Sequence, residues 1–184
     1  LLRAQDRGVQ VRMVMESDNL DRSDPQKLKD AGIPILGDRR EGLMHNKFVV
    51  IDNLEVWLGS MNFTDSGAYK DNNNLMKIRS TKLAEDFTAE FEEMFVDDIF
   101  GPDLGNPTPN PRVTIDGTNI DVYFAPEDHA QAALFDLVDS VAQASIYFMA
   151  YSFTADPIGN AIRSASAEGL TVAGVMDADQ IKSN

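Results

Sequence analysis

Two ten-residue stretches of the chain lie over one another. RGVQVRMVME (7–16) and EGLTVAGVMD (168–177) superpose with Gly8 on Gly169, Val11 on Val172, Val14 on Val175, Met15 on Met176 and Glu16 on Asp177. Each follows a segment of helical texture, so each reads as helix, glycine stop, strand. A repeated unit restricts what the chain can fold into more than any single propensity does. It predicts a slice of a two-repeat protein, with the back half of one repeat over 1–100 and the front half of the next over 119–184. Between them, GPDLGNPTPNP (101–111) is rich in proline and glycine and marks a linker, which with the start of the next hairpin occupies 101–118.

Local patterns fill in the two halves. GVQVRMVM (8–15) and IPIL (33–36) read as strands around a helix over 24–32, with Asp24 as N-cap, Pro25 in the first turn and Gly32 as its stop. HNKFVVID and EVWLGSM form a hairpin pattern about Asn53, 63–73 is polar loop, and NLMKIRS is another strand. The segment 81–95 places Leu83, Phe87, Phe91, Met94 and Phe95 on one stripe, an amphipathic helix opened by Thr81 and packed by that stripe. Trp57 is expected in the core beside it. RVTIDGTNIDVYF predicts a hairpin turning at Asp116-Gly117. Then follow a helix (127–143), a buried strand (145–153), a helix with Asp156 as cap and Pro157 at its first position, and a closing strand (170–179). Strands alternating with helices predict an α/β fold, a mixed β-sheet flanked by helices on both faces.

Composition removes several chemistries. There is no cysteine, so disulfides, thiolate catalysis and cysteine zinc sites are excluded. No apolar run approaches the roughly 18–20 residues that span a bilayer. The absence of cysteine fits an exported or a cytosolic chain equally. The net charge of −14 counts against a nucleic-acid partner, because polyanion binding runs on lysine and arginine contacts. Arg39, Arg40, Lys47, Lys70 and Lys77 nevertheless form a modest local basic patch.

The chain has two histidines, His45 and His129. His129 reads as a solvated helix-start residue. His45 opens a pattern, H-x-K-x4-D-x6-G-S-x-N, made by His45, Lys47, Asp52, Gly59, Ser60 and Asn62. Six specified residues at fixed spacing arise by chance on the order of 10⁻⁸ per starting position. On a strand, His45 and Lys47 point to one face. One can attack phosphorus while the other neutralises a non-bridging oxygen. The Ser60 hydroxyl and Asn62 amide can donate to phosphate oxygens, and Gly59 lets backbone approach closely. Asp52 falls at an odd separation from His45, off that face, which suits a supporting hydrogen bond.

The pattern resembles the signature of the phospholipase D superfamily, and AYSFT (150–154) and VYFAPED (122–128) are similar to other strands of that family. The resemblance implies a phospholipase D-like fold and a catalytic set of His45, Lys47 and Asp52. It also implies phosphate binding by Gly59, Ser60 and Asn62, with no metal and no cofactor. His45 would be the nucleophile that forms a phosphohistidine, or the acid that protonates the leaving oxygen. The family joins two such histidines across a pseudo-two-fold axis, so a homodimer or a domain swap that unites two His45 residues is expected. Asn73, in DNNNLM (71–76), stands where the family carries a glutamate that orients a catalytic histidine. A phospholipid phosphodiester is the favoured substrate. A nuclease of the same mechanism, a transfer to an alcohol, or an inactive half-site are the alternatives.

Overall fold

The computed structural model describes residues 1–40, 42–101 and 105–182. Residues 102–104 of the linker expected from the sequence lie outside the described residues. The chain divides into two compact units, Leu1–Asp128 and His129–Asn184. Both mix helices with strands, as an α/β chain should.

In the first unit, a short helix α1 (Leu2–Gln5) leads to β1 (Met13–Met15), which pairs in parallel with β2 (Ile35–Gly37). Gly8 and Gly32 carry positive φ after α1 and α2 (Ser23–Asp30), as helix stops require. Residues 8–12 are not strand, so β1 is shorter than its alternation suggests. The N-cap of α2 is Arg22, with no capping side chain; Asp24 lies one position inside the helix and pairs with Lys27 at 2.9 Å. A three-stranded antiparallel sheet follows, β3 (Phe48–Ile51), β4 (Glu55–Gly59) and β5 (Leu75–Arg79), in register Phe48 with Leu58 and Leu58 with Met76. The stretch 63–73, expected as loop, contains the short helix α3 (Asp65–Tyr69). Thr64 caps it by accepting the Gly67 N–H at 3.0 Å.

The inward face of this sheet (Phe48, Val50, Val56, Leu58, Ile78) packs on α4 (Thr81–Phe95). Ser80 caps α4, one residue before the expected Thr81. The hairpin β6 (Arg112–Ile115) and β7 (Thr118–Asp121) turns at Asp116-Gly117, both at positive φ. That hairpin belongs to the same core: Val113, Val122 and Phe124 are buried with Val56, Leu83 and Phe87. Phe87 is the joint, its ring edge-on to Phe48 at 5.1 Å and to Phe124 at 5.0 Å. Phe91 and Phe95 stack at 5.2 Å at the far end of α4, and Arg12 lies over both while donating to Glu92. Trp57 falls on the outward face of the sheet and not in the core. It donates to Glu55 at 2.8 Å, and Lys77 sits over its ring.

In the second unit, α5 (Ala130–Asp136) runs on into one wider turn over 137–141, and β8 (Ser145–Ala150) pairs in parallel with β9 (Thr171–Met176). The helix α6 (Asp156–Ala167) lies between these strands in sequence and buries Ile158, Ala161 and Ala165. Ala155 is its N-cap, with Asp156 in the first turn. Phe148 covers its strand neighbour Gly174, where a Cβ would come within 2.3 Å of the ring. The opposite face of this small sheet carries Tyr147, Met149 and Val175, all exposed. A last helix, α7 (Ala178–Lys182), occupies residues that the strand pattern had run into.

Candidate active site

The residues 43–47 are not strand. The expected extension of β3 back to His45 fails because side chains occupy the backbone there. Glu16 accepts the Met44 N–H at 3.0 Å, and Lys47 Nζ donates to the His45 carbonyl at 2.6 Å. The ladder still continues weakly, since the Gly59 N–H donates to the Lys47 carbonyl at 3.3 Å. His45 and Lys47 therefore sit at the same end of the hairpin as Gly59, Ser60 and Asn62. Same-face projection from a regular strand is not what brings them there.

Asp52 is at the other end. With Asn53 it forms the β3–β4 turn, both residues at positive φ (54° and 50°). Asp and Asn tolerate that conformation, and such turns match strand twist. Four strand residues, about 13 Å of extended chain, separate Asp52 from Lys47. The structure brings five of the six signature residues to one end and leaves Asp52 to shape the turn.

Ser60 is fixed from two sides. Its hydroxyl donates to Asn73 Oδ1 at 2.9 Å and accepts the Asn74 N–H at 3.1 Å. Asn73 Nδ2 donates to the Gly67 carbonyl at 3.0 Å. The amide of Asn73 thus clamps Ser60 to α3; in presenting its proton to a phosphate oxygen, Ser60 would turn away from Asn73. Two glycines make this clamp possible. A Cβ on Gly59 would lie 2.3 Å from the Asn74 carbonyl oxygen, and one on Gly67 2.2 Å from the Asn62 carbonyl oxygen. Gly67 was not singled out by sequence reasoning, although Thr64 three residues before it is a recognisable cap.

His45 and Asn46 line a cleft of ≈ 380 Å³ with Glu90, Glu93 and Glu127. Asn46 Nδ2 donates to Glu90 Oε1 at 3.2 Å. The His45 imidazole is exposed, but desolvation and then the charge of Lys47 push its pKa below the ordinary value. Desolvation likewise lowers Lys47. A neutral imidazole beside an ammonium is the combination that nucleophilic attack on a phosphodiester needs. Desolvation, then Glu127 and Glu93, raise the Glu90 carboxyl to about 8. Sequence reasoning missed both Glu16 and Glu90; they sit at helical or strand-end positions that read as solvated acids. Among the described residues, no group of three or more His, Asp or Glu side chains is arranged to hold a metal ion. No helix among them is long and apolar enough to cross a membrane.

The family described as "Cardiolipin synthase, PLD-like domain" matches residues 1–95, which hold all six motif residues, while Glu127 on the cleft wall lies beyond the match. The chain belongs to the phospholipase D superfamily. The phospholipase D-like chain is 38% identical over 89 residues to a protein named phospholipase D from Rickettsia prowazekii (strain Madrid E), covering 47% of this chain and 43% of that one. It is 31% identical over 91 residues to a mitochondrial cardiolipin hydrolase from Xenopus tropicalis, covering 48% and 43%. Among solved structures it is similar to the phospholipase D family member Nuc from Salmonella typhimurium, with 30% identity and a TM-score of 0.47 over 50% of this chain and 64% of that one. The chain thus spans less than half the length of these curated relatives.

Proposed function

We propose that this chain carries one catalytic half-site of a phospholipase D-type phosphodiesterase that hydrolyses phospholipids through a phosphohistidine without a metal. The observation that carries the reading is the meeting of His45 and Lys47 with Gly59, Ser60 and Asn62 at one hairpin end. In the first step an imidazole nitrogen of His45 attacks phosphorus and the bond to the leaving alcohol breaks. The alcohol oxygen takes a proton from the second histidine of the pair. Water then attacks the phosphohistidine, gives its proton to that same histidine and releases the phosphate product. Lys47, Ser60 and Asn62 stabilise the charge on the non-bridging oxygens, where fixed donors have most effect. Asp52 holds the turn, and Asn73 supports the site through Ser60.

The second histidine comes from a second motif or from His45 of a second copy, which makes a homodimer or a swapped pair the active species. We assign 1–100 to the back half of a first repeat, 101–118 to the connecting linker and hairpin, and 119–184 to the front half of a second. A parallel in the caps supports this. Glu16 after β1 accepts the Asp18 N–H, and Asp177 after β9 accepts the N–H groups of Asp179 and Gln180. A lipid substrate is favoured over nucleic acid because two cations of the local basic patch are paired with carboxylates, Arg39 with Asp98 and Lys77 with Glu55.

The test is hydrolysis of bis(p-nitrophenyl) phosphate in EDTA, beside His45→Asn. We expect turnover that falls at least about 10³-fold in the variant. Turnover that survives in His45→Asn, or that vanishes with EDTA, would overturn the reading.

A further inference from the structure

The cleft beside His45 is acidic, and the attack on phosphorus makes no use of that acidity. Glu90 begins the acidic wall one hydrogen bond from Asn46, the neighbour of His45. Glu93 and Glu127 continue it, with Tyr123 alongside. Glu93 is 9% exposed, and one of its oxygens accepts the Asn106 N–H at 2.7 Å. A smaller cavity shares Glu90, Glu93 and Glu127 as its wall and adds Asp86. Asp86 is fully buried. Its Oδ1 accepts two donors from Asn110, at 2.7 and 3.0 Å, while its Oδ2 has no partner among the described residues. A buried carboxylate oxygen without a donor is costly. One on the wall of a cavity points to a donor that arrives from the cavity. Among the described residues these carboxylates are not arranged as a metal site.

We infer that the acidic cleft receives a primary ammonium, so that the substrate is a phosphodiester carrying an ethanolamine-type headgroup in preference to one carrying a neutral or anionic alcohol. The inference rests on the reading of the His45 site as a phosphodiesterase and names its substrate class. Two carbons separate the phosphate oxygen from the nitrogen in such a headgroup. That short reach suits a charge site whose first carboxylate is bonded to the residue beside His45. The ammonium has three N–H donors to give to carboxylate oxygens. A quaternary ammonium has none, and it is better held by a cage of aromatic faces. Desolvation, then Glu127 and Glu93, keep a proton on Glu90 near neutral pH. An arriving ammonium displaces that proton.

Titration calorimetry with this chain tests the inference, using glycerophosphoethanolamine and glycerophosphoglycerol as probes at neutral pH. The ethanolamine probe should bind about tenfold more tightly. It alone should release a proton, read as a binding heat that changes with the ionisation enthalpy of the buffer. In Glu90→Gln combined with Glu127→Gln, checked for folding by circular dichroism, the preference should shrink to about twofold or less. Equal affinities, no measurable binding of either probe, no proton release, or a preference that survives in the folded double variant would each overturn the inference. Turnover of bis(p-nitrophenyl) phosphate, which has no ammonium, separates the two readings. Intact turnover with no headgroup preference overturns this inference alone. A clear preference without His45-dependent turnover overturns the phosphodiesterase.

Discussion

A carboxyl that keeps its proton to about pH 8 ties folding to pH in an unusual direction. Unfolded, Glu90 titrates near the ordinary glutamate value; folded, desolvation and the charges of Glu127 and Glu93 hold it near 8. Between those values the folded chain binds the extra proton. The stabilising contribution is therefore full below the unfolded pKa and is lost as pH rises through the folded one. The melting temperature should fall between about pH 5 and about pH 8 and level off above, and Glu90→Gln should flatten that slope, as thermal unfolding followed by circular dichroism would read. The glycine under Asn62 is the second sensitive residue. Gly67→Ala forces a methyl group against the Asn62 carbonyl, which is backbone and cannot swing aside. Denaturant unfolding should show a loss of about 1–3 kcal/mol, accompanied by weaker turnover as Asn62 and the Asn73 clamp shift. His45, Lys47, Ser60 and Asn62 were legible as a set because their spacing is specific. Asn73, which bonds Ser60, was singled out as a supporting residue, but the groups that bond the flanking Met44 and Asn46 were not. Glu16 and Glu90 act across 28 and 44 residues of sequence, and no periodicity marks them.

At the scale of elements, the hairpin over 112–121 matters more than its place after a proline-rich stretch suggests. Phe87 on α4 meets Phe48 from the sheet and Phe124 just beyond the hairpin. Phe87→Ala should cost about 3–5 kcal/mol, measured by urea unfolding, because three elements lose their shared contact at once. The strand and helix patterns placed β3, β4, β5 and α4 well, since alternation and the helical stripe both act locally. They misjudged the ends. β1 lost residues 8–12 and β3 lost His45, in the latter case because Glu16 and Lys47 bond to backbone that a strand would have used. The helix α3 was read as loop because five residues are too few to show a period; the cap at Thr64 was the available signal. Trp57 was expected inside, yet β4 alternates Val56 inward and Trp57 outward, where Glu55 and Lys77 engage its indole.

At the scale of the molecule, the first unit extends to Asp128. Its proline-rich segment is bound along α4 by carboxylates: Glu93 accepts from Asn106, and Asp86 accepts from Asn110. Beyond it, Val113, Val122 and Phe124 complete the core of the first unit. A polypeptide of residues 1–128 should therefore unfold in one cooperative transition with slow amide exchange in β4 and α4. One of residues 1–100 should lack that cooperativity. Equal protection of β4 in both would show that the hairpin is dispensable. The family match and every motif residue lie within 1–95, so the part that carries the motif and the part that completes its core are different stretches of sequence.

The carboxylates on the cleft wall also set a rule about how many phosphates a substrate can bring. A phospholipid with an uncharged or cationic alcohol brings one. A polynucleotide brings another for about every 3.4 Å of strand rise, and on the proposed reading, with one phosphate at His45, a neighbour entering the cleft would meet Glu93 and Glu127. Added salt loosens an ordinary nucleic-acid binder by weakening its cationic contacts. Here salt would screen a repulsion instead. On the proposed reading, the ionic-strength response of this site to a polyanion would be inverted.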